Sequence, residues 1–136
     1  MTEKELVSQA VAAMDRAYAP YSRHKVGAAL LASDGRVFTG CNIENAAYSP
    51  SVCAERTAIF KAVSEGVRDF RAIAVVGGRD GVMTGLFPPC GVCRQVLREF
   101  CGEDFPIHLG GPDGQIETTT LGDLLPLSFS AERMEG

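Results

Sequence analysis

Lys25-Val26-Gly27-Ala28-Ala29-Leu30-Leu31-Ala32, followed by Ser33-Asp34-Gly35-Arg36, is the stretch that decides the fold. A run so nearly free of polar side chains has no face to offer water. It suits a central strand covered on both sides. The four residues after it read as a hairpin turn, with Gly35 supplying the positive φ, and residues 37–43 return antiparallel.

Upstream, Thr2 and Glu5 have the spacing of a capping box. Leu6, Val7, Ala10, Val11, Met14 and Tyr18 then recur at helical spacing, and Pro20 is expected to end that helix. Downstream, residues 51–65 form a second helical pattern that stops at Gly66. Residues 72–76 read as a fully apolar strand and 77–89 as a glycine-rich loop. Residues 90–100 read as a third helix with prolines at its start. Two strands, 107–109 and 115–120, join near Pro112-Asp113-Gly114, a short helix spans 121–125, and 130–136 is expected to be a loose tail. No linker or repeat interrupts the pattern. It predicts one α/β domain over residues 1–136, a three-layer α/β/α sandwich on a mixed five-stranded sheet.

The chain has 136 residues, 46% hydrophobic and 22% charged, with a formal charge of −4. That balance argues against a general attraction to nucleic acid or to an anionic membrane. The longest apolar run, Val26 to Ala32, is too short to span a bilayer, and the first residues show no signal-peptide pattern. A cytoplasmic location is expected. The five cysteines, an odd count without an export signal, then point away from a disulfide framework and toward a metal site, a redox site or buried thiols.

Three of those cysteines stand at helix starts: Cys53 in Cys53-Ala54-Glu55, and Cys90 and Cys93 in Pro89-Cys90-Gly91-Val92-Cys93. Backbone N–H groups at a helix N-terminus favour thiolates, the form that binds metal. Three thiolate ligands leave one position of a tetrahedral zinc open, as in catalytic sites, where zinc brings the pKa of a water toward neutrality. Glu55 is placed to act as the general base, and Arg56 to offset the thiolate charge. Cys101 lies eight residues past Cys93, about 12 Å along a helix, too far to share the ion. Cys41 reads as a small buried residue. His24 and His108 are the other candidate ligands. Cys90-Gly91-Val92-Cys93 also fits a thiol–disulfide oxidoreductase, a reading that leaves Cys53 and Glu55 without a role.

These two motifs resemble the zinc nucleoside and nucleobase deaminases in their three-cysteine form, a pattern that includes a glutamate acting as acid and base. Tyr18-Ala19-Pro20-Tyr21-Ser22, Val26-Gly27-Ala28-Ala29-Leu30 and Gly40-Cys41-Asn42-Ile43-Glu44-Asn45-Ala46 narrow the resemblance to the small cytidine deaminases, over nearly the whole chain. The resemblance implies one Zn²⁺ on Cys53, Cys90 and Cys93, proton transfer by Glu55, and Arg56 supporting the thiolates. It implies that Asn42 and Glu44 bind the ribose of a pyrimidine nucleoside and that the Ala54 backbone meets the base edge. It also implies a homotetramer in which Phe129 reaches a neighbour's base and Tyr48 lies at an interface. His24 stands where these enzymes commonly carry a phenylalanine lining the pyrimidine pocket. The expected reaction is hydrolytic deamination of cytidine and deoxycytidine, in pyrimidine salvage. An aminonucleoside deaminase of the blasticidin type shares the zinc motif and is the rival substrate class. Glu44 beside the sugar would repel phosphates, which disfavours nucleotides and nucleic acid.

Overall fold

The computed structural model describes residues 1–135. Its elements are α1 (Glu3–Met14), β1 (His24–Ala32), β2 (Val37–Cys41), α2 (Ala54–Ser64), β3 (Phe70–Arg79), α3 (Gly91–Phe100), β4 (Pro106–Gly110), β5 (Ile116–Thr120), α4 (Leu121–Leu124) and α5 (Ala131–Glu135). The strands make one mixed sheet in the order β2-β1-β3-β4-β5. β1 is antiparallel to both β2 and β3, β3 and β4 are parallel, and β5 returns antiparallel to β4. The parallel pair is joined by a crossover through α3, as parallel strands require.

The apolar run of β1 is explained by its two neighbours across the layers. Val26, Ala28, Leu30 and Ala32 pack with Ala54, Ala58 and Ile59 of α2 and Leu97 of α3. Ala29 and Leu31 face the other way, against Leu6, Ala10 and Met14 of α1. β3 divides likewise, with Ile73 and Val75 on the first side and Ala74 and Val76 on the second. α2 comes unusually close to the sheet at Gly40: a Cβ there would lie 2.4 Å from the Ala54 carbonyl oxygen. That contact, with the Thr57 hydroxyl donating to the Cys41 carbonyl (2.9 Å), fixes the start of α2 over the end of β2.

Local signals held where a single residue decides. The Thr2 hydroxyl accepts from the Glu5 amide, and Gly35 has φ 93°. Four expectations are corrected. The first helix ends at Met14, well before Pro20, because Tyr18 leaves it to bridge Ile43. The second helix starts at Ala54 rather than 51, since Val52 pairs with Ile43 in extended backbone. β3 continues to Arg79, so Gly77 and Gly78 belong to the strand and pair with Val26 and Lys25. The tail expected to be loose forms α5, with Gly136 outside the described residues. No helix among the described residues is long and apolar enough to cross a membrane.

Candidate active site

Cys53 and Cys90 are the residues just before α2 and α3, both in extended backbone (φ −78°, ψ 157° and φ −68°, ψ 167°), and neither side chain caps its helix. Their thiols are therefore free to turn beyond the helix ends. Cys93, inside the first turn of α3, is fully buried. Arg94 steadies this entry, donating from Nε to the Pro89 carbonyl (2.8 Å) and from Nη1 to that of Leu124 (2.7 Å).

The three sulfurs converge. Cys53 Sγ lies 3.5 Å from Cys90 Sγ, and Cys90 Sγ lies 3.4 Å from Cys93 Sγ. Among the described residues this is the one group of metal-ligating side chains within 4.8 Å of one another. A tetrahedral zinc with Zn–S bonds of about 2.3 Å sets its sulfurs about 3.8 Å apart. The observed spacing fits that ion with a small outward adjustment. Arg56 donates from Nη2 to Cys53 Sγ (3.4 Å). The Cys53 thiol is brought down to about 5, first by the Cys93 thiol beside it and also by Arg56. Cys93 is pushed the opposite way by the same contact and by burial. Cys101 and Cys41 stand apart: burial raises both, Cys101 to about 12.

Glu55 is 3% exposed, and its Oε1 is buried with no hydrogen-bond partner among the described residues. Burial lifts its carboxyl to about 7, and the Cys53 thiolate adds to the rise. A carboxyl held near neutrality can both accept and return a proton. It opens onto a cavity of about 290 Å³ that Cys53, Cys90 and Arg56 also line.

Asn42, Glu44 and His24 border the same cavity. The Asn42 side chain accepts from the Val26 amide and donates to the His24 carbonyl, each at 2.8 Å, which locks it against β1. Glu44 Oε1 accepts the Tyr21 and Ser22 amides (3.0 Å each), and Oε2 accepts the Ser22 hydroxyl. Burial opposes its charge, but these donors outweigh burial and hold the carboxyl below its usual value. Both residues keep spare hydrogen-bonding capacity for a ligand hydroxyl.

Three residues named by the resemblance do not line the cavity: Ala54 was expected to meet the base edge there, Tyr48 and Phe129 to meet a neighbouring copy. Ala54 is fully buried. Tyr48 is exposed, with its ring edge-on to Tyr21. Phe129 is 60% exposed, and its carbonyl is held by the Gln95 side chain. His108, weighed as a ligand, instead bonds Thr118 through Nδ1 (2.8 Å) in β4. Sequence reasoning missed Ser22, Val26 and Phe87 as cavity walls. The aromatic three residues before Cys90 was the available signal for Phe87. A larger groove of about 420 Å³ between α1 and residues 111–116 shares none of these residues.

The model of the cytidine and deoxycytidylate deaminase zinc-binding region matches residues 1–109. The cytidine deaminase of Sporosarcina psychrophila is 52% identical over 97% of this chain and 94% of that protein. That of Halalkalibacterium halodurans is 51% identical over 98% of each. Among solved structures, the cytidine deaminase of Burkholderia pseudomallei superposes with a TM-score of 0.88 at 49% identity, over 95% of this chain and 100% of that one.

Proposed function

The chain belongs to the cytidine and deoxycytidylate deaminase family, and on that premise we propose that it deaminates cytidine and 2′-deoxycytidine hydrolytically, releasing ammonia and the corresponding uridine. The observation that carries this reading is the meeting of three thiols beside a cavity that Cys53, Cys90 and Glu55 line, with the buried Glu55 Oε1 lacking a hydrogen-bond partner among the described residues.

Cys53, Cys90 and Cys93 would hold Zn²⁺, with Arg56 sharing the charge of Cys53. When bound, the ion supplies a Lewis acid that makes water nucleophilic near neutral pH. Glu55 does the proton work. Its carboxylate takes a proton from the attacking water and delivers it to N3 of the base, which makes C4 more electrophilic. The same carboxylate then takes the proton of the new C4 hydroxyl and passes it to the amine, so that the C4–N bond breaks, ammonia leaves and the C4 carbonyl forms. Asn42 and Glu44 bind the ribose, chiefly its 3′-hydroxyl. Glu44 stays ionised and so favours a neutral nucleoside over a phosphorylated one.

We infer a homotetramer. Its support is the segment after α4, where Ser128 and Ser130 are buried while Leu127 and Phe129 are 93% and 60% exposed. Such an inverted arrangement suits a segment whose apolar side chains pack on another copy, with Phe129 reaching that copy's base and Tyr48 at the contact. The thiol ligands suit the reducing cytoplasm, where the reaction would serve pyrimidine salvage.

The experiment is direct. Purified protein mixed with cytidine should lose cytidine absorbance and release one ammonia per uridine formed. Zinc removal should stop this, and zinc alone should restore it. Turnover of blasticidin S with inert cytidine would move the substrate class. Full activity without zinc would overturn the mechanism.

A further inference from the structure

The turn before β1 is brought to the cavity by Tyr18, which pairs with the segment after β2. The Tyr18 N–H donates to the Asn42 carbonyl (3.0 Å), and the Tyr18 carbonyl accepts the Glu44 N–H (2.8 Å). The Arg23 N–H then closes the turn on the Ala19 carbonyl (3.0 Å). Ser22 is thereby set against Glu44, and both residues line the cavity.

Each polar atom of Ser22 has a partner. Its carbonyl meets His24 Nδ1 (3.0 Å), and its amide donates to Glu44 Oε1 (3.0 Å). Its hydroxyl oxygen accepts the His24 N–H (3.0 Å), and its one proton goes to Glu44 Oε2. The Tyr21 N–H is the second donor to Oε1 (3.0 Å). A carboxylate offers about four lone-pair sites, two on each oxygen. Oε1 is therefore filled, and Oε2 keeps one site. Asn42 also lines the cavity. Its side chain spends one acceptor site on the Val26 amide and one N–H on the His24 carbonyl, which leaves the other N–H. Together Glu44 and Asn42 offer a ligand hydroxyl one acceptor and one donor.

We propose that Ser22 is a positioning residue for the ribose site: its hydroxyl and amide hold Glu44 so that the one free Oε2 site meets the sugar hydroxyl. This rests on the nucleoside reading above. Ser22 has no proton left for the substrate, so it acts through Glu44.

The test is a double-mutant cycle in the zinc-loaded enzyme, with S22A, E44Q and the pair, and S22T as the conservative variant. It reads kcat and KM for cytidine, and the dissociation constants of uridine and 3′-deoxyuridine. In S22A, the cytidine KM and the uridine constant should rise by about three- to tenfold, the size of one lost hydrogen bond. The cytidine kcat should stay within about twofold, since ground-state and transition-state binding are lost alike. The 3′-deoxyuridine constant should move less than about twofold, because that ligand has no hydroxyl for Glu44 to accept. S22T keeps the donor and should bind uridine within about threefold of the parent. Adding S22A to E44Q should change uridine binding by less than about twofold, because residues acting through one contact do not add. If S22A costs as much in E44Q as in the parent, or weakens both ligands equally, Ser22 only shapes the turn and the proposal falls. It falls too if S22T binds as poorly as S22A. S22C keeps the bulk with a weaker donor and runs the same cycle if S22A does not fold. A parent enzyme that binds uridine with the expected Ser22 dependence yet leaves cytidine intact would sink the deaminase reading alone. A parent that binds neither ligand would sink both.

Discussion

Arg23 Nε lies 2.9 Å from Asp80 Oδ1, and the Asp80 amide donates back to the Arg23 carbonyl at 2.6 Å. Both residues hold left-handed backbone, φ 62° and 55°. The pair clamps the start of β1, which carries His24, to the end of β3, where the segment leading to Phe87 begins. An exposed ion pair contributes little by itself. Its role here is to hold two residues in a conformation that costs energy for side chains with a Cβ.

Removing the carboxylate should therefore show in the backbone. D80A is expected to lower the thermal midpoint by a few degrees, and D80G, which accepts positive φ freely, to recover part of it. Thermal unfolding of the two variants checks this. Equal losses would show that the ion pair alone matters.

Glu55 should be needed for turnover and not for metal. E55Q keeps the size of the side chain and removes its proton transfer. We expect kcat to fall by about 10²–10⁴, with one zinc per chain retained by elemental analysis. Activity near that of the parent would remove Glu55 from the proton path.

The cysteines should divide by geometry. C53S, C90S and C93S are expected to bind zinc substoichiometrically after dialysis against a weak chelator. C41S and C101A should keep one zinc per chain, because neither thiol belongs to the cluster.

Glu44 offers a substrate-side check. If it holds the ribose, E44Q should raise the cytidine KM about tenfold or more, the size of a lost charged hydrogen bond. The KM for 3′-deoxycytidine, which lacks the 3′-hydroxyl, should change far less. An equal change in both would mean that Glu44 only holds the Tyr21-Ser22 turn.

His108 gives a pH signature separate from catalysis. Burial lowers its pKa in the fold, against a weaker pull upward from Glu3. The unfolded chain therefore takes up this proton first. The histidine costs no stability above the unfolded value of about 6.5, and stability is lost as pH falls from there through the folded value. Between pH 7.5 and 5.5, H108Q should lose less of its urea midpoint than the parent, even if its starting midpoint is lower for want of the Thr118 contact.

The parts legible in the sequence were those fixed by near neighbours. The hairpin needed Gly35, the run through β1 announced two covered faces, and the cysteine spacings singled out the three thiols that converge. What stayed hidden depended on distant partners. Gly77 and Gly78 carry no strand pattern, and only pairing with Val26 and Lys25 makes them strand. Pro20 looked like a helix stop, whereas Tyr18 had already been drawn away by Ile43. Phe87 could not be aimed at a cavity until the close approach of its ring to Gly77 was known. Phe129 remains on the outer surface of a single chain, because its proposed target belongs to another copy.

The absence of a side-chain cap at Cys53 and Cys90 has a consequence for assembly of the enzyme. Ordinary helices tie down their first amides with Ser, Thr, Asp or Asn, a contribution of about 1 kcal/mol each. α2 and α3 forgo this at the same spot and present sulfur instead. Metal loading is therefore expected to tighten the first turns of these two helices, and amide exchange there should slow sharply when zinc is added. A chain short of zinc would be loosest where its chemistry takes place, so incompletely loaded molecules would be the ones most open to proteases.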